Sequence, residues 1–192
     1  GYSALAADLP AFSAEDVFEM EYANDPQVSP DGSRVAYVRS SMDIMTDRTR
    51  RTIWVVDVDG DNHRPLVSGA GNFSSPRWSP SGDRLAYLSN TEGKTQLFVQ
   101  WLDGGETAKV TTLPQSPRSI VWSPDGSRVA YVRSSMDIMT DRTRRTIWVV
   151  DVDGDNHRPL VSGAGNFSSP RWSPSGDRLA YLSNTEGKTQ LF

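Results

Sequence analysis

The sequence predicts an all-β chain, a β-propeller of four-stranded antiparallel blades, and three observations carry that prediction. A segment of 70 residues, 29–98, is spelled a second time without change at 123–192. Within it lies a looser repeat. SPDGSRVAYVRS at Ser29 is answered by SPSGDRLAYLSN at Ser79, and both return at Ser123 and Ser173, so the units start 50, 44 and 50 residues apart. Each unit also divides into short alternating or β-branched runs separated by Gly-containing turns. Four-strand units repeating every 40 to 50 residues, with Trp closing the first run at Trp78, Trp122 and Trp172, are the mark of sheets arranged radially. A solenoid takes a shorter period, and a sandwich has similar strands but no reason for the periodicity. About four blades are expected, the last incomplete, with strands labelled a to d from the inside outward.

Residues 1–25 form a leader that belongs to no blade. Ser13 is placed as a helix N-cap, Asp16 three residues on stands where a capping box has Glu, and Phe12 is spaced to staple against Val17, so a short helix is expected over 14–20. Ala4-Leu5-Ala6 has the A-x-A look of a signal-peptide cleavage site, a pointer to a periplasmic or secreted parent that leaves localisation open.

Blade one is expected over 26–68. Strand a is the short piece 26–28. Strand b, from Arg34, alternates Val35 and Tyr37 against Arg34 and Ala36, as a strand with two different faces does. Strand c, TIWVVDV from Thr52, is dense enough in β-branched and aromatic residues to be buried on both faces. Strand d, from Asn62, carries Pro65, which removes a ladder donor and suits an outer edge. Pro30-Asp31-Gly32 and Asp59-Gly60 supply the turns. Blade two follows over 75–112 on the same plan, blade three over 119–162, and blade four over 169–192 with a, b and only the start of c.

Composition narrows the function classes. Hydrophobic residues at 36%, charged residues at 23% and six Trp describe an ordered chain. A net charge of −4 gives no reason to approach phosphate backbones, so nucleic acid is not expected as a partner. The absence of Cys excludes disulfides and thiolate metal sites. No apolar run approaches the roughly 18 residues a spanning helix needs, so no membrane partner is expected.

Several local patterns resemble sites. Asp57-Val58-Asp59-Gly60-Asp61 suggests calcium, but an EF-hand loop wants Gly at its sixth position and an acidic residue at its twelfth, where Asn62 and Ser68 stand. A c-to-d hairpin turn is the expectation. His63 and His157 stand without Cys or a second His nearby and are expected in cross-strand or solvent-facing roles. Gly69-Ala70-Gly71 lacks the remaining Gly and the Lys of a phosphate loop. Neither metal nor cofactor is expected. Arg48, Arg50 and Arg51, with their copies Arg142, Arg144 and Arg145, are placed beside Asp43 and Asp47 on a long b-to-c loop. Two readings stay open for them: a solvated loop with internal ion pairs, or interaction loops at one mouth of a ring that take a peptide carboxylate or another domain.

The helix followed by NDPQVSPDGSRVAYV, with MDIMTDRTRR, DVDGDNHRPL, WSPSGDRLAYLS and WSPDG, resembles the N-terminal propeller of bacterial serine peptidases of the prolyl oligopeptidase family, in its acylaminoacyl-peptidase and dipeptidyl-aminopeptidase branch. The likeness covers nearly everything from Phe12 onward, and the WSPDG turn is shared with propellers of the TolB type. The resemblance implies a lid over an α/β-hydrolase domain, its channel restricting which peptides reach the catalytic serine. The chain departs from that family in lacking any G-x-S-x-G and in having only His63 and His157. No catalytic residue is therefore expected, and hydrolase activity is not.

The 70-residue duplication is itself informative, because natural copies drift at tolerant surface positions. An engineered duplication of a blade pair is the expectation. An incomplete fourth blade leaves an open strand edge. Blades taken from a larger ring do not easily close as four, so two chains are expected to pair as a C2 ring of about eight blades, with residues 1–11 of one chain lying beside blade four of the other.

Overall fold

A computed structural model of the chain describes residues 13, 16–43, 45–137, 141–163, 165–185 and 187–192. The expected capping box is present: the Ser13 N–H donates to the Asp16 carboxylate, and the Asp16 N–H donates to the Ser13 hydroxyl at 3.3 Å. Among the described residues the expected helix is α1 (Asp16–Glu19), which stops one residue short of Met20, and residues 14 and 15 lie outside them. Phe12, the expected staple, and residues 1–11, expected beside blade four, lie outside the described residues.

Four antiparallel sheets follow, each built from strands consecutive in the chain. Blade one is β1 (Glu21–Val28), β2 (Arg34–Asp43), β3 (Arg48–Asp57) and β4 (Arg64–Val67). Blade two is β5 (Phe73–Trp78), β6 (Arg84–Ser89), β7 (Gln96–Trp101) and β8 (Thr107–Lys109). Blade three is β9 (Pro117–Trp122), β10 (Arg128–Asp137), β11 (Arg142–Asp151) and β12 (Arg158–Val161). Blade four has three strands, β13 (Phe167–Trp172), β14 (Leu179–Ser183) and β15 (Gln190–Leu191). The first strands β1, β5, β9 and β13 pack against one another in sequence, which is the radial arrangement of a propeller.

Two expectations are corrected. Strand a of blade one starts at Glu21, five residues before the expected 26, because β1 keeps pairing with β2 beyond its bulge as far as Glu21↔Ser41. The b-to-c connection is also no long loop. β2 and β3 pair without a break from Arg34↔Asp57 to Asp43↔Arg48, so Arg48, Arg50 and Arg51 stand on a strand, as do Arg142, Arg144 and Arg145 on β11. Thr49, Thr52 and Ile53 favour extension enough to carry the hairpin past the edge of the neighbouring strands.

Each first strand contains the same irregularity. Asp25, Ser75, Ser119 and Ser169 have φ between 48° and 55°, and in every blade the register of strand a shifts around that residue. A bulge at one fixed place bends and twists each inner strand alike. The turns after strand a are equally uniform. In the first, the Gly32 N–H donates to the Ser29 carbonyl and the Ser29 hydroxyl accepts from the Arg34 N–H, both at 2.9 Å. Donation from Ser29 and then Ser33 holds the Asp31 carboxyl down at about 2. Asp83 and Asp125 are likewise held at about 2, chiefly by Ser81 and Ser123.

The core consists of three seams between sheets. Ala36, Val38, Ile53 and Val55 of blade one meet Phe73, Trp78, Leu85 and Tyr87 of blade two. Ala86, Leu88, Leu97 and Val99 on the other face of blade two meet Ile120, Val129, Tyr131 and Val150 of blade three. Ala130, Val132 and Ile147 meet Phe167, with Trp172, Leu179 and Tyr181 packed alongside. Inner blades are therefore buried on both faces. Strand c of blade one is expected to be buried on both faces, yet Val56 is half-buried while its copy Val150 is fully buried. The letters are the same; only blade three has neighbours on both sides.

Truncation in the middle seam gives a direct check. Leu97 is 0% exposed, and Leu97→Ala is expected to cost about 3 kcal/mol in denaturant unfolding, through lost transfer energy and the cavity left behind.

Candidate interaction surfaces

Beyond apolar contact, each seam is fixed by a repeated set of directional contacts. The Trp78 indole N–H donates to the Gln27 carbonyl and that of Trp122 to the Arg77 carbonyl, both at 2.9 Å, so one blade's first strand is tied to the next. From the preceding blade an arginine covers each indole. Arg34 stacks over Trp78, Arg84 over Trp122 and Arg128 over Trp172, at 5.2, 5.3 and 5.4 Å from the ring centroids. The third indole departs from the pattern, since its N–H is buried without an acceptor among the described residues. Under the clasp, Gly82 sits on Pro30 with only 3.4 Å between the proline Cδ and the place a Cβ would occupy, and its φ of +75° adds a second bar to side chains. Gly176 sits on Pro124 in the same way.

This clasp has a direction, so its two ends differ. Blade four presents Arg178, whose side chain is 86% exposed, with no indole over it. Blade one has Val28, 63% exposed, where the other blades have Trp. The outer sheet faces are open too. Tyr37 and Val56 of blade one are only half-buried, Ala180 of blade four is exposed, and Leu191 is 74% exposed.

The seams also place the two histidines. His63 shares a 2.5 Å hydrogen bond with the Tyr37 hydroxyl and lies against Trp54, with ring centroids 5.0 Å apart. Its copy His157 repeats both contacts with Tyr131 and Trp148, but beside the middle seam, where burial and then the Arg133 charge push its pKa below the usual 6.5. The cross-strand expectation describes both residues. Asp57 to Asp61 forms a tight turn closed by the Gly60 N–H on the Asp57 carbonyl and the Asp57 N–H on the Asp61 carbonyl, each at 2.9 Å.

The arginines of the β2–β3 hairpin and its copy are not gathered into one cluster. Arg50 donates to the Gly69 carbonyl at 3.4 Å, and Arg144 pairs with Asp137 at 2.7 Å. Arg51 and Arg145 use their backbone N–H groups, which donate at 2.8 Å to Asn72 and Asn166. Those two Asn residues in turn donate from their backbones to Asn90 and Asn184 at 2.7 Å. This relay links the long hairpin to the blade-to-blade connection and on to the next hairpin turn. The clasp arginines, by contrast, are not among the candidate residues that the sequence patterns single out. Their signal was in the sequence, since Arg34, Arg84, Arg128 and Arg178 each stand six residues after the end of a first strand.

The sequence profile of the TolB beta propeller domain matches residues 32–192. The chain belongs to the TolB β-propeller family. Among its relatives, the uncharacterized peptidase YuxL of Bacillus subtilis is 36% identical over 103 residues, 53% of this chain and 16% of that protein. The Tol-Pal system protein TolB of Sodalis glossinidius is 35% identical over 85 residues, 43% of this chain and 19% of that protein. This TolB-type chain thus spans less than a fifth of either relative. Among solved structures, the acylaminoacyl peptidase of Pyrococcus horikoshii superposes with a TM-score of 0.71 at 22% identity, over 86% of this chain and 28% of that one. The β-propeller domain of the Trilobed protease from Pyrococcus furiosus, described as having an open velcro topology, superposes with a TM-score of 0.65 at 22% identity, over 84% of this chain and 48% of that one. These structural likenesses agree with the propeller fold.

The buried imidazole provides a pH check. A lowered folded-state pKa means the unfolded chain binds the proton first, so the His157 contribution is complete above about pH 6.5 and declines as pH falls below it. Thermal unfolding is expected to show a loss of stability on acidification from pH 7 to 5 that is reduced in His157→Gln, where Tyr131, Trp148 and Arg133 keep their places.

Proposed function

We propose that the chain is a non-catalytic propeller segment, an engineered duplication of a blade pair, that joins head to tail with a second copy to close a C2 ring of about eight blades. One observation carries this reading. The two uncovered faces repeat six of the ten buried residues that pack together in the middle seam. Ala180, Leu182 and Leu191 of blade four are the copies of Ala86, Leu88 and Leu97, and Val35, Tyr37 and Val56 of blade one are the copies of Val129, Tyr131 and Val150. Two blades that fit within one chain have the same side chains available between chains. Closed rotational symmetry uses both open ends of each copy at once. That four blades correspond to 48% of the Pyrococcus furiosus propeller domain supports an arc of roughly half a circle.

The engineered origin is supported by the 70 unchanged residues, since exposed positions tolerate substitution at little cost in stability. A second reading is favoured by the peptidase relatives: a substrate-gating propeller portion of a larger serine peptidase, docked to an α/β-hydrolase domain. In that setting the hairpin ends bearing Arg48, Arg50 and Arg51, and Arg142, Arg144 and Arg145, are the contact arms. Both readings share an inert chain, and a chromogenic peptide assay is expected to show no turnover above background.

Mass in solution separates the readings. Multi-angle light scattering at micromolar protein is expected to give twice 21.2 kDa, and Leu182→Asp to return the mass to one chain with the sheets intact. Val28→Trp restores the missing indole opposite Arg178 and is expected to tighten pairing roughly tenfold, by adding a cation–π contact and an indole hydrogen bond. A monomeric parent chain whose mass none of these changes moves contradicts the ring.

A further inference from the structure

Three clefts open where successive blades meet on the side of the b-to-c hairpin ends, and they differ in charge. The cleft between blades one and two, about 530 Å³, has Asp43 on its wall beside Arg48 and Arg50, and Arg50 is already tied to the Gly69 carbonyl. In the cleft between blades three and four, about 410 Å³, the cations are Arg142 and Arg144, and Asp137, paired with Arg144 at 2.7 Å, stands directly across the hairpin from Arg142. The cleft between blades two and three is the exception. It has a volume of about 510 Å³ and, among the described residues, its charged lining is Lys94 and Arg118, with no carboxylate on the wall. Neither cation has an ion pair or hydrogen bond among the described residues.

Arg118 is what sets this cleft apart. It lies on the inner strand β9, opposite Val132, a position held by Asn24, Ser74 and Ser168 in the other blades. Ser134 and Ser135 line the same space, Ser135 on the β10 face that carries Val129 and Tyr131 toward blade two, and Met136, 57% exposed, lines it together with Pro114. Two unneutralised cations, a neighbouring hydroxyl donor and an adjacent thioether make up the chemistry that takes a carboxylate joined to an apolar group. The volume falls within the range of small-ligand pockets.

We infer that the cleft between blades two and three is a binding site for the free C-terminal carboxylate of a short peptide with an apolar last residue. Arg118 and Lys94 take the carboxylate, the Ser135 hydroxyl donates to its oxygens or to the last peptide group, and Met136 at the cleft's rim covers the terminal side chain. All of these residues belong to one chain, so the site is independent of ring closure.

The test is calorimetric titration of the full chain with N-acetyl-Ala-Leu as the free acid and as the C-terminal amide, at low ionic strength. The acid is expected to bind at least tenfold more tightly than the amide. Arg118→Gln is expected to weaken the acid at least tenfold while leaving the amide unchanged. Lys94→Gln, on an exposed turn, provides the same check should the first variant fold poorly. Arg144→Gln, in the neighbouring cleft, is expected to have no effect. Equal binding of acid and amide, no binding of the acid, or an unchanged affinity in both Arg118→Gln and Lys94→Gln would overturn the assignment.

Discussion

The packing of one sheet face on the next is the constraint from which the rest of this structure follows. A four-stranded sheet with apolar residues on both faces is not stable alone in water, because each face exposes side chains that are worth several kcal/mol when buried. Blades two and three meet the requirement on both sides and blades one and four on one side each. The chain contains its own control for this effect. Val56 and Val150 are the same residue in the same four-stranded context, yet one is half-buried and the other fully enclosed. Blade three has a neighbour over that face and blade one does not.

Directional contacts turn this apolar requirement into a defined geometry. Sheet packing alone leaves the angle between blades loosely specified, whereas an indole that donates to the previous inner strand and lies under the previous blade's arginine fixes both approach and register. The Gly-on-Pro contact at the same turn removes the space that a slip would need. Because every part of the clasp runs from one blade to the next, a string of blades has distinct ends, which is the asymmetry that the proposed head-to-tail ring requires. Cation–π contacts of this exposure contribute only about 0.5–1 kcal/mol each. The burial supplies most of the affinity, and the clasp selects the geometry.

Much of the architecture could be read from the sequence because the repeat exposes it. Alternation at Val35 and Tyr37, the turn residues at Gly32 and Gly60, and Pro65 at an outer edge each dictated a local feature that the fold contains. The failures have physical causes. Met42-Asp43 and Arg48 to Arg51 look like parts of a loop because they flank a polar, charged stretch, yet long polar strands form readily when paired without interruption to a partner, and charge says little about backbone pairing beyond the sheet core. The start of β1 was missed because Asn24-Asp25-Pro26 reads as a break, when it is a bulge with Asp25 at φ 48° inside a continuing strand. Burial on both faces of strand c was a statement about neighbours, which a single blade's sequence does not contain. The charge difference between the three clefts was also out of reach, since it depends on which residues from different blades come together in space.

The central claim is that blade faces of this kind find blade partners, within the chain and beyond it. Small-angle X-ray scattering at micromolar protein tests it most directly. Two chains closing a ring give a radius of gyration of about 21 Å or slightly more and a pair-distance profile with a hollow centre, whereas one compact chain of this length gives about 16 Å. The account predicts the first. A profile of a lone, solid particle at the smaller radius, unchanged as concentration rises, would contradict it.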